Sequence, residues 1–220
     1  SQIERLEFPD NVRRRPGMWI GDTDSDDGPH HLVCELIANA VDDHLAGGAS
    51  RIDVIVEGDV AVVSDDGRGF DVDAHSEPGF DSFTSLHRTG TRDGHAPHVH
   101  AGRGLGVGLA VVCALSDAVV VDTRGFVRCY ARGLKTAPPA PSTSLGTRVQ
   151  VQLSRDIFAT EIPVAKVRET VRTFALLLPT CRFSFNGEAF AASGIADLVV
   201  DLAGDDPLLA PPLRVQARVN

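Results

Sequence analysis

The most regular polar and apolar pattern in the chain runs over 30–43 and predicts an amphipathic helix. Valine, leucine, isoleucine and alanine recur there at intervals of three and four residues, as a core-facing helix requires. The opposite face carries oxygen-bearing side chains at helical spacing, namely Glu35, Asn39, Asp42 and Asp43. The Gly47-Gly48 pair predicts the end of this helix.

Alternating residues and turn signals predict strands after that helix. They are expected at 52–56, 60–64, 118–123, 126–132, 148–153 and 182–185. Further helices are expected after the glycine-rich stretch that ends at Gly108 and over 164–178 and 192–203. The stretch 86–103 has no period and is rich in Gly, Thr, His and Arg, which predicts a long flexible loop.

Composition is typical of an ordinary globular protein. A chain of 220 residues with 43% hydrophobic and 23% charged residues can bury one sizeable core. No apolar run is long enough to predict a membrane span, and the net charge of −9 argues against direct nucleic-acid binding. Four widely spaced cysteines within apolar patterns are typical of buried free thiols. We therefore expect a reducing compartment, the cytoplasm.

The polar face of the first long helix is one candidate site. It carries three carboxylates, one carboxamide and no cation. Such a set of oxygen ligands suits a magnesium ion that keeps most of its own water beside a nucleotide. An ordinary solvated acidic face is the alternative, and it is the more frequent meaning of such residues taken alone.

A second candidate site follows the strand over 60–64, in the sequence Asp65-Asp66-Gly67-Arg68-Gly69. The glycines would let the backbone pass close to a ligand, and a buried carboxylate would accept a hydrogen bond from an exocyclic amine. A plain Asp-Gly turn is an equal alternative. Thr147, at the start of a later strand, offers a ligand its hydroxyl or is simply a strand former.

The third candidate is a glycine-rich segment that runs into an apolar helix. Free backbone N–H groups at the positive end of a helix predict a phosphate cradle, here from Gly102, Gly104, Gly106, Val107 and Gly108. A dinucleotide fingerprint is excluded because no strand immediately precedes these glycines. We interpret the nearby His95, His98 and His100 as part of a weakly basic flap, since no fixed element would hold them around a metal.

Taken in order, these motifs resemble the ATP-binding fold shared by gyrase, the Hsp90 chaperones, histidine kinases and the MutL repair proteins (the GHKL superfamily). Within it the chain is similar to the amino-terminal ATPase domain of the gyrase B and topoisomerase IV subunit. The segments that carry the resemblance are Arg15-Pro16-Gly17-Met18-Trp19-Ile20-Gly21, His30-His31-Leu32-Val33, Asp42-Asp43-x-Leu45-Ala46-Gly47, Asp65-Asp66-Gly67-Arg68-Gly69 and Gly106-Val107-Gly108.

The resemblance implies a fold and a domain division. The implied fold class is α+β of Bergerat type, in which a mixed, mostly antiparallel sheet is covered on one face by helices. Residues 1–190 would form the ATP-binding domain. Residues 191–220 would be a carboxy-terminal extension or the start of a truncated transducer-like segment.

The resemblance also implies roles for the matching residues near the phosphates. Glu35 would be the general base that orients and deprotonates the attacking water, and Asn39 would ligate Mg²⁺. ATP and Mg²⁺ are thus the implied cofactors, and Asp43 is expected to belong to the same binding face. The phosphates would be wrapped by the backbone of Gly102, Gly104, Gly106, Val107 and Gly108.

At the base of the nucleotide, the resemblance implies four further roles. Asp65 would accept the adenine amine, and Gly67 would lie beside the ring. Thr147 would support Asp65 through a water, and Arg68 would flank the adenine pocket.

Three departures from the family pattern leave two functions open. Gyrases usually carry an acid at position 38 and Glu at position 43, where this chain has Ala38 and Asp43. The family's Gly-Gly-Lys-Phe element is matched by 89–92, and its transducer lysine has no match before Asn220. We expect magnesium-dependent ATP binding with slow or absent hydrolysis. The alternative is a stand-alone relative that binds another small molecule or catalyses another reaction.

The expected partners follow from the same resemblance. A nucleotide is the main one, and a gyrase-A-like or DNA-processing partner is expected if the chain is part of a longer protein. Neither direct DNA binding nor membrane association is expected. Homodimerisation stays open, although the arm that reaches across to a partner in the family is nearly absent before Ile3.

Overall fold

The computed structural model describes residues 6–69, 81–84, 86, 108–191 and 194–203. The helices are α1 (Asp10–Arg13), α2 (Gly17–Ile20), α3 (Asp27–Leu45), α4 (Gly108–Ala114), α5 (Val164–Leu177) and α6 (Ile195–Ala203). The strands are β1 (Arg51–Glu57), β2 (Val60–Asp65), β3 (Ser116–Thr123), β4 (Phe126–Ala131), β5 (Leu134–Lys135), β6 (Ala140–Pro141), β7 (Thr147–Leu153), β8 (Arg182–Phe185) and β9 (Glu188–Phe190).

The strands form one mixed sheet in the order β5-β4-β3-β7-β2-β1-β8-β9, with β6 paired to β4. All of these pairs are antiparallel except the parallel pair of β1 with β8. Three of the hairpins turn through adjacent residues with positive φ, at 124–125, 132–133 and 186–187. Such turns match the right-handed twist of the strands that they join.

The helices cover one face of this sheet. On β1, Ile52, Val54 and Val56 are buried while the residues between them are partly or fully exposed, which is the period of two expected of a half-buried strand. The apolar side of α3 packs into the same core, and α3 contacts β2, α4 and α5. The α+β fold with a mostly antiparallel sheet and helices on one face is therefore confirmed.

Most predicted elements agree with the structure to within a few residues. The long helix begins at Asp27 rather than His30, because Pro29 falls in the first turn, where a missing N–H costs no hydrogen bond. The predicted helix over 192–203 begins at Ile195. None of the helices in the described part of the chain is long and apolar enough to cross a membrane.

Some predictions fall outside the described residues. These are most of the predicted loop over 86–103, including His95, His98 and His100, and the backbone assigned to phosphate binding at Gly102, Gly104, Gly106 and Val107. Gly108 is described and begins α4.

Candidate functional site

One face of α3 carries the predicted polar residues. Glu35, Asn39 and Asp43 follow one another at intervals of four residues and are partly buried, while the apolar side of the helix is in the core. Ala38, where gyrases usually carry an acid, is 7% exposed. The polar face is therefore narrower than a solvated helix face and lies against neighbouring elements.

Glu35 joins α3 to the start of α4. Its Oε2 atom accepts a hydrogen bond of 3.1 Å from the backbone N–H of Gly108, and its side chain is only 10% exposed. A carboxylate placed at the first residue of a helix also faces the positive end of the backbone dipoles. The sequence placed these two residues in separate motifs, and the structure brings them into contact.

His31 is a site residue to which sequence analysis assigned no role. Its Nε2 atom lies 3.4 Å from Glu35 Oε1, and its Nδ1 atom lies 3.4 Å from the carbonyl oxygen of Ile20. Because both ring nitrogens face acceptors, the protonated ring, which carries two donors, suits the position best. The neighbouring Glu35 carboxylate accordingly raises the pKa of His31.

The His31–Glu35 contact is long for a hydrogen bond and is closer to an ion pair in geometry. Its sequence signal is the spacing of a histidine and a glutamate by four residues on one helix, which places both on the same face. The position of His31 limits the orientations open to the Glu35 carboxylate.

Asp65 ends β2 with a carboxylate turned into the protein. Its Oδ1 atom accepts both the N–H of Gly67, at 2.9 Å, and the N–H of Thr147, at 3.3 Å. Burial raises the pKa of Asp65 to about 6; the two amides oppose this rise, and the nearby charges of Asp43 and Asp66 add to it. Such a partly buried acceptor with a perturbed pKa is typical of a functional site.

Beside Asp65 lies a group formed by Asp43, Gly67 and Arg68. The Asp43 carboxylate accepts hydrogen bonds from the backbone N–H of Arg68 and from its guanidinium, at 3.0 to 3.3 Å. A Cβ atom on residue 67 would lie 1.7 Å from Asp43 Oδ2. A glycine is therefore required there for α3 to approach the turn after β2.

Thr147 and Gly146 border Asp65 from the start of β7. Thr147 is 5% exposed and places its hydroxyl 3.4 Å from that of Thr123. A Cβ atom on residue 146 would lie 2.0 Å from the backbone oxygen of Asp65. Gly146 was assigned no role from the sequence, whereas in the structure its lack of a side chain allows the close approach to the backbone of Asp65.

The structure thus groups the predicted residues at two positions along α3. Glu35, near the middle of the helix, meets Gly108, and Asp43, near its carboxyl end, lies with Asp65, Gly67, Arg68 and Thr147. Asn39 lies between them on the same helix face. From Glu35 to Asp43 the helix rises roughly 12 Å, so the arrangement suits an elongated ligand with an amine at one end and an anionic group at the other.

A metal would need ligands that the protein alone does not supply. Within the described ranges, no group of three or more His, Cys, Asp or Glu side chains could hold a metal ion. The Asn39 side chain fits one position of a magnesium ion that takes its remaining ligands from phosphates and water, which is the usual arrangement at nucleotide sites.

A cavity of about 310 Å³ lies elsewhere, between α5, β9 and α6. Arg172, Phe190 and Val200 are among its lining residues, and it shares no residue with the site on α3. We therefore assign no role in that site to this cavity.

Comparison with known proteins places the chain in a family. The sequence profile of the histidine kinase-, DNA gyrase B-, and HSP90-like ATPases matches residues 24–157. The DNA gyrase B protein of Caulobacter vibrioides is 40% identical over 182 residues, which cover 72% of this chain and 22% of the relative. The B-type component of the type 2 topoisomerase of Aquifex aeolicus is 35% identical over 97% of this chain and 29% of its own length. The chain thus spans less than a third of these two relatives.

A solved structure agrees with the sequence matches. The 43K ATPase domain of Thermus thermophilus gyrase B, in complex with an aminocoumarin, superposes with a TM-score of 0.72 at 31% identity. The match covers 91% of this chain and 56% of that one. The chain belongs to the histidine kinase-, DNA gyrase B- and HSP90-like ATPase family, and within that family it is related to the ATPase domain of gyrase B.

Proposed function

We propose that this chain binds ATP together with Mg²⁺ along the polar face of α3, between the end of β2 and the start of α4. The observation that carries the proposal is the pairing of two sites along one helix. A partly buried acceptor, Asp65, lies at one end, and a carboxylate in contact with a helix-initiating N–H, Glu35 with Gly108, lies at the other.

At the first end, Asp65 would accept the exocyclic amine of adenine. Because its pKa is about 6, the carboxylate is mostly ionised at neutral pH and remains an acceptor. Both amide N–H groups that contact it reach Oδ1, so Oδ2 is the oxygen that we assign to the ligand. Gly67 and Thr147 would border the base, and Arg68, held by Asp43, would flank it.

At the other end, Asn39 would hold Mg²⁺, and backbone N–H groups would contact the phosphates. The bound ion would neutralise phosphate charge, which is the main electrostatic requirement of phosphoryl transfer. Gly108 is the described member of the phosphate-binding set. We extend that role to Gly102, Gly104, Gly106 and Val107 on the resemblance alone.

Glu35 would act on the water that attacks the terminal phosphate. Its carboxylate is fixed by two contacts, from Gly108 N–H and from His31. A general base must be oriented before its basicity matters, and His31 would serve that orientation. We propose that hydrolysis by this chain alone is slow or absent, since the resemblance assigns a phosphate-contacting lysine to a following domain.

We propose two further assignments for a longer protein that contains these residues. They include a gyrase-A-like or DNA-processing partner and the division into 1–190 and 191–220. In the described part of that second segment, α6 packs against α5.

The related Thermus domain was solved with an aminocoumarin, and we propose that inhibitors of this class compete with ATP at Asp65.

Calorimetric titration with a non-hydrolysable ATP analogue and magnesium tests the function. Wild-type protein should bind, and Asp65→Asn should weaken binding about a hundredfold, the cost of losing a charged hydrogen-bond acceptor for the amine. Asn39→Ala should abolish the difference between titrations with magnesium and with EDTA. Asp53→Asn is the matched control, because its side chain pairs with Arg51 and Ser184 on β1 and β8.

Two outcomes would contradict the proposal. If Asp65→Asn binds as tightly as wild type, the assigned base pocket is wrong. If wild type shows no binding with the analogue at about millimolar concentration, an affinity too weak for a dedicated site, the ATP proposal fails. A different small molecule in the same cleft then becomes the leading hypothesis.

A further inference from the structure

Arg13, the last residue of α1, is an arginine to which the proposed site assigns no role. It opens the run of three arginines at 13–15, of which the other two are exposed and Arg13 is partly buried. Its Nη1 atom donates a hydrogen bond of 2.7 Å to the carbonyl oxygen of Ala114. Ala114 is the last residue of α4. An arginine of α1 therefore caps the carboxyl end of the helix whose first residue contacts Glu35.

The Arg13 guanidinium is itself held in place by a hydrogen-bond network. Its Nη2 atom donates to Ser154 Oγ at 3.3 Å. The hydroxyl of Ser154, a residue that is 0% exposed, donates in turn to Asp117 Oδ1 at 2.9 Å. Asp117 also accepts a hydrogen bond of 2.8 Å from Arg132 Nε. The contact with Ala114 is thus part of a connected network, which holds a side chain better than an isolated surface pair does.

Charged side chains of two other helices hold α4 at its two ends. At the amino end, Glu35 of α3 accepts the N–H of Gly108. At the carboxyl end, Arg13 of α1 donates to the last carbonyl of the helix. The two ends are roughly 10 Å apart. An acid at the amino end and a cation at the carboxyl end both interact favourably with the helix dipole, so each contact stabilises α4 in this position.

The packing of α4 gives it less directional restraint than these two contacts do. Its residues are apolar from 109 to 114, and those from Ala110 to Ala114 are at most 3% exposed. Burial of apolar surface is non-directional, whereas a hydrogen bond specifies a distance and an angle. We therefore expect the terminal hydrogen bonds to define where α4 lies along its axis, and with it the position of the Gly108 N–H.

We infer that Arg13 is a positioning residue for the part of the proposed site formed by Glu35 and Gly108. By fixing the carboxyl end of α4, it keeps the Gly108 N–H on the Glu35 carboxylate and so restrains the orientation of that carboxylate. The inference rests on the proposed function, because that proposal gives Glu35 and Gly108 their roles toward the phosphates. The restraint of Gly108 by Arg13 can nevertheless be measured without nucleotide.

The test compares variants of Arg13 in the whole chain. Arg13→Met should weaken binding of the magnesium–ATP analogue about tenfold, at the low end of what a lost hydrogen bond to a charged group costs. Without nucleotide, hydrogen exchange of the Gly108 amide should approach the rate of an unprotected amide. The first N–H of a helix has no acceptor within the helix, so its protection depends on Glu35. Arg13→Lys keeps a cation that can donate to the Ala114 carbonyl, and both values should return toward those of wild type.

Two control variants separate positioning from general effects. Arg168→Met makes the same chemical change at an exposed ion pair with Glu188 and should alter neither affinity nor Gly108 exchange. Phe185→Leu weakens the core at β8, far along the sheet from β3 and β4, the strands that α4 contacts. It should leave Gly108 exchange at the wild-type value. Affinities are measured at a temperature where every variant is folded.

Three results would overturn the inference even if wild-type protein binds the analogue. Unchanged Gly108 exchange in Arg13→Met would mean that packing alone positions α4. An equal rise in Phe185→Leu would mean that this amide reports overall stability. Faster exchange with wild-type affinity would mean that the position of Gly108 does not affect the nucleotide. If wild-type protein fails to bind, the proposed function fails and the role of Arg13 in nucleotide binding fails with it, while the exchange comparison still decides whether Arg13 restrains Gly108.

Discussion

Two interior aspartates, Asp65 and Asp81, show how differently the same side chain is used in one fold. Asp81 receives an ammonium, a phenol and a backbone N–H, which together serve both of its oxygens. Asp65 receives two backbone N–H groups on a single oxygen and has the acids Asp43 and Asp66 nearby. The protein itself neutralises the first charge and leaves the second incompletely balanced.

That contrast separates a structural carboxylate from one assigned to a ligand. A carboxylate whose two oxygens both accept protein donors, one of them a lysine ammonium, has little acceptor capacity left for a ligand. A carboxylate whose charge is incompletely balanced can still accept a hydrogen bond from a ligand. The pKa of Asp65, raised to about 6, reflects the free-energy cost of burying its charge.

The same substitution at the two positions should change stability in opposite directions. In Asp81→Asn, one oxygen becomes an NH₂ donor that faces another donor, so we expect a loss of about 3 kcal/mol in the free energy of unfolding. In Asp65→Asn, the amide oxygen can take the Oδ1 position and keep both hydrogen bonds. Removing the buried charge should then stabilise the protein by about 1 to 2 kcal/mol at neutral pH.

Urea denaturation of both variants at pH 7 measures this difference. Asp53→Asn again serves as a control and should lie close to wild type, because its partners are on the partly exposed residues Arg51 and Ser184. Losses of equal size at positions 65 and 81 would contradict the distinction between the two aspartates.

Gly146→Ala should damage the Asp65 site more than it damages the fold. The new Cβ atom would lie 2.0 Å from the Asp65 backbone oxygen, so the end of β2 must shift away from β7. We expect roughly a thirtyfold loss of affinity for the ATP analogue, about 2 kcal/mol, because a displaced carboxylate no longer meets the base amine. Gly17→Ala is the control, since nothing lies within 4 Å of its added atom. An unchanged affinity in Gly146→Ala would mean that Asp65 does not position the nucleotide.

The sequence predicts the Asp65 region well because its signals are local. The alternation over 60–64 gives the strand, and the Asp-Gly sequence gives the turn that follows it. The helical spacing of Glu35, Asn39 and Asp43 likewise predicts a shared face, since a period of 3.6 residues needs no knowledge of the fold. These local patterns predicted the elements that border the site, although not the contact between Glu35 and Gly108.

The Asp81 region could not be predicted in the same way. Its partners Tyr130 and Lys135 lie in β4 and β5, and no spacing in the sequence links them to an aspartate so far upstream. The close approach of Gly146 to Asp65 depends on the pairing of β2 with β7, where Asp65 is opposite Thr147. Both features arise from tertiary contacts between separate elements, and local pattern carries no information about them.

Acidification should weaken nucleotide binding. It should also reduce the free-energy cost of burying the Asp65 charge. With a pKa of about 6, the ionised fraction falls roughly tenfold between pH 7 and pH 5, and we expect a similar loss of affinity because the neutral acid is a poorer acceptor. The folded-state pKa lies above the ordinary value of 3.8, so the folded protein binds more protons in this range. The contribution of Asp65 to stability therefore increases as pH falls from about 6 to about 4.

Titrating the ATP analogue at several pH values measures the pH dependence of affinity. Urea denaturation at the same pH values measures the pH dependence of stability. Asp65→Asn should lack this contribution to the pH dependence of stability, which isolates it from that of His31 and other groups. Affinity that is constant between pH 7 and pH 5 would remove the ionised Asp65 from the proposed base pocket.

Tyr130→Phe should give the smallest effect, because it removes only one of the three donors to Asp81. The ring and its stacking on Phe83 are retained, while Lys135 still contacts Oδ2 and the Phe83 N–H still contacts Oδ1. We expect a loss of about 1 kcal/mol in the free energy of unfolding, the usual net value of one hydrogen bond. Urea denaturation beside Asp81→Asn gives the comparison. If Tyr130→Phe costs as much as Asp81→Asn, then Lys135 contributes little to neutralising the buried charge. In that case the phenol would be the main side-chain donor to Asp81, beside the Phe83 N–H, and its difference from Asp65 would rest mainly on one hydroxyl group.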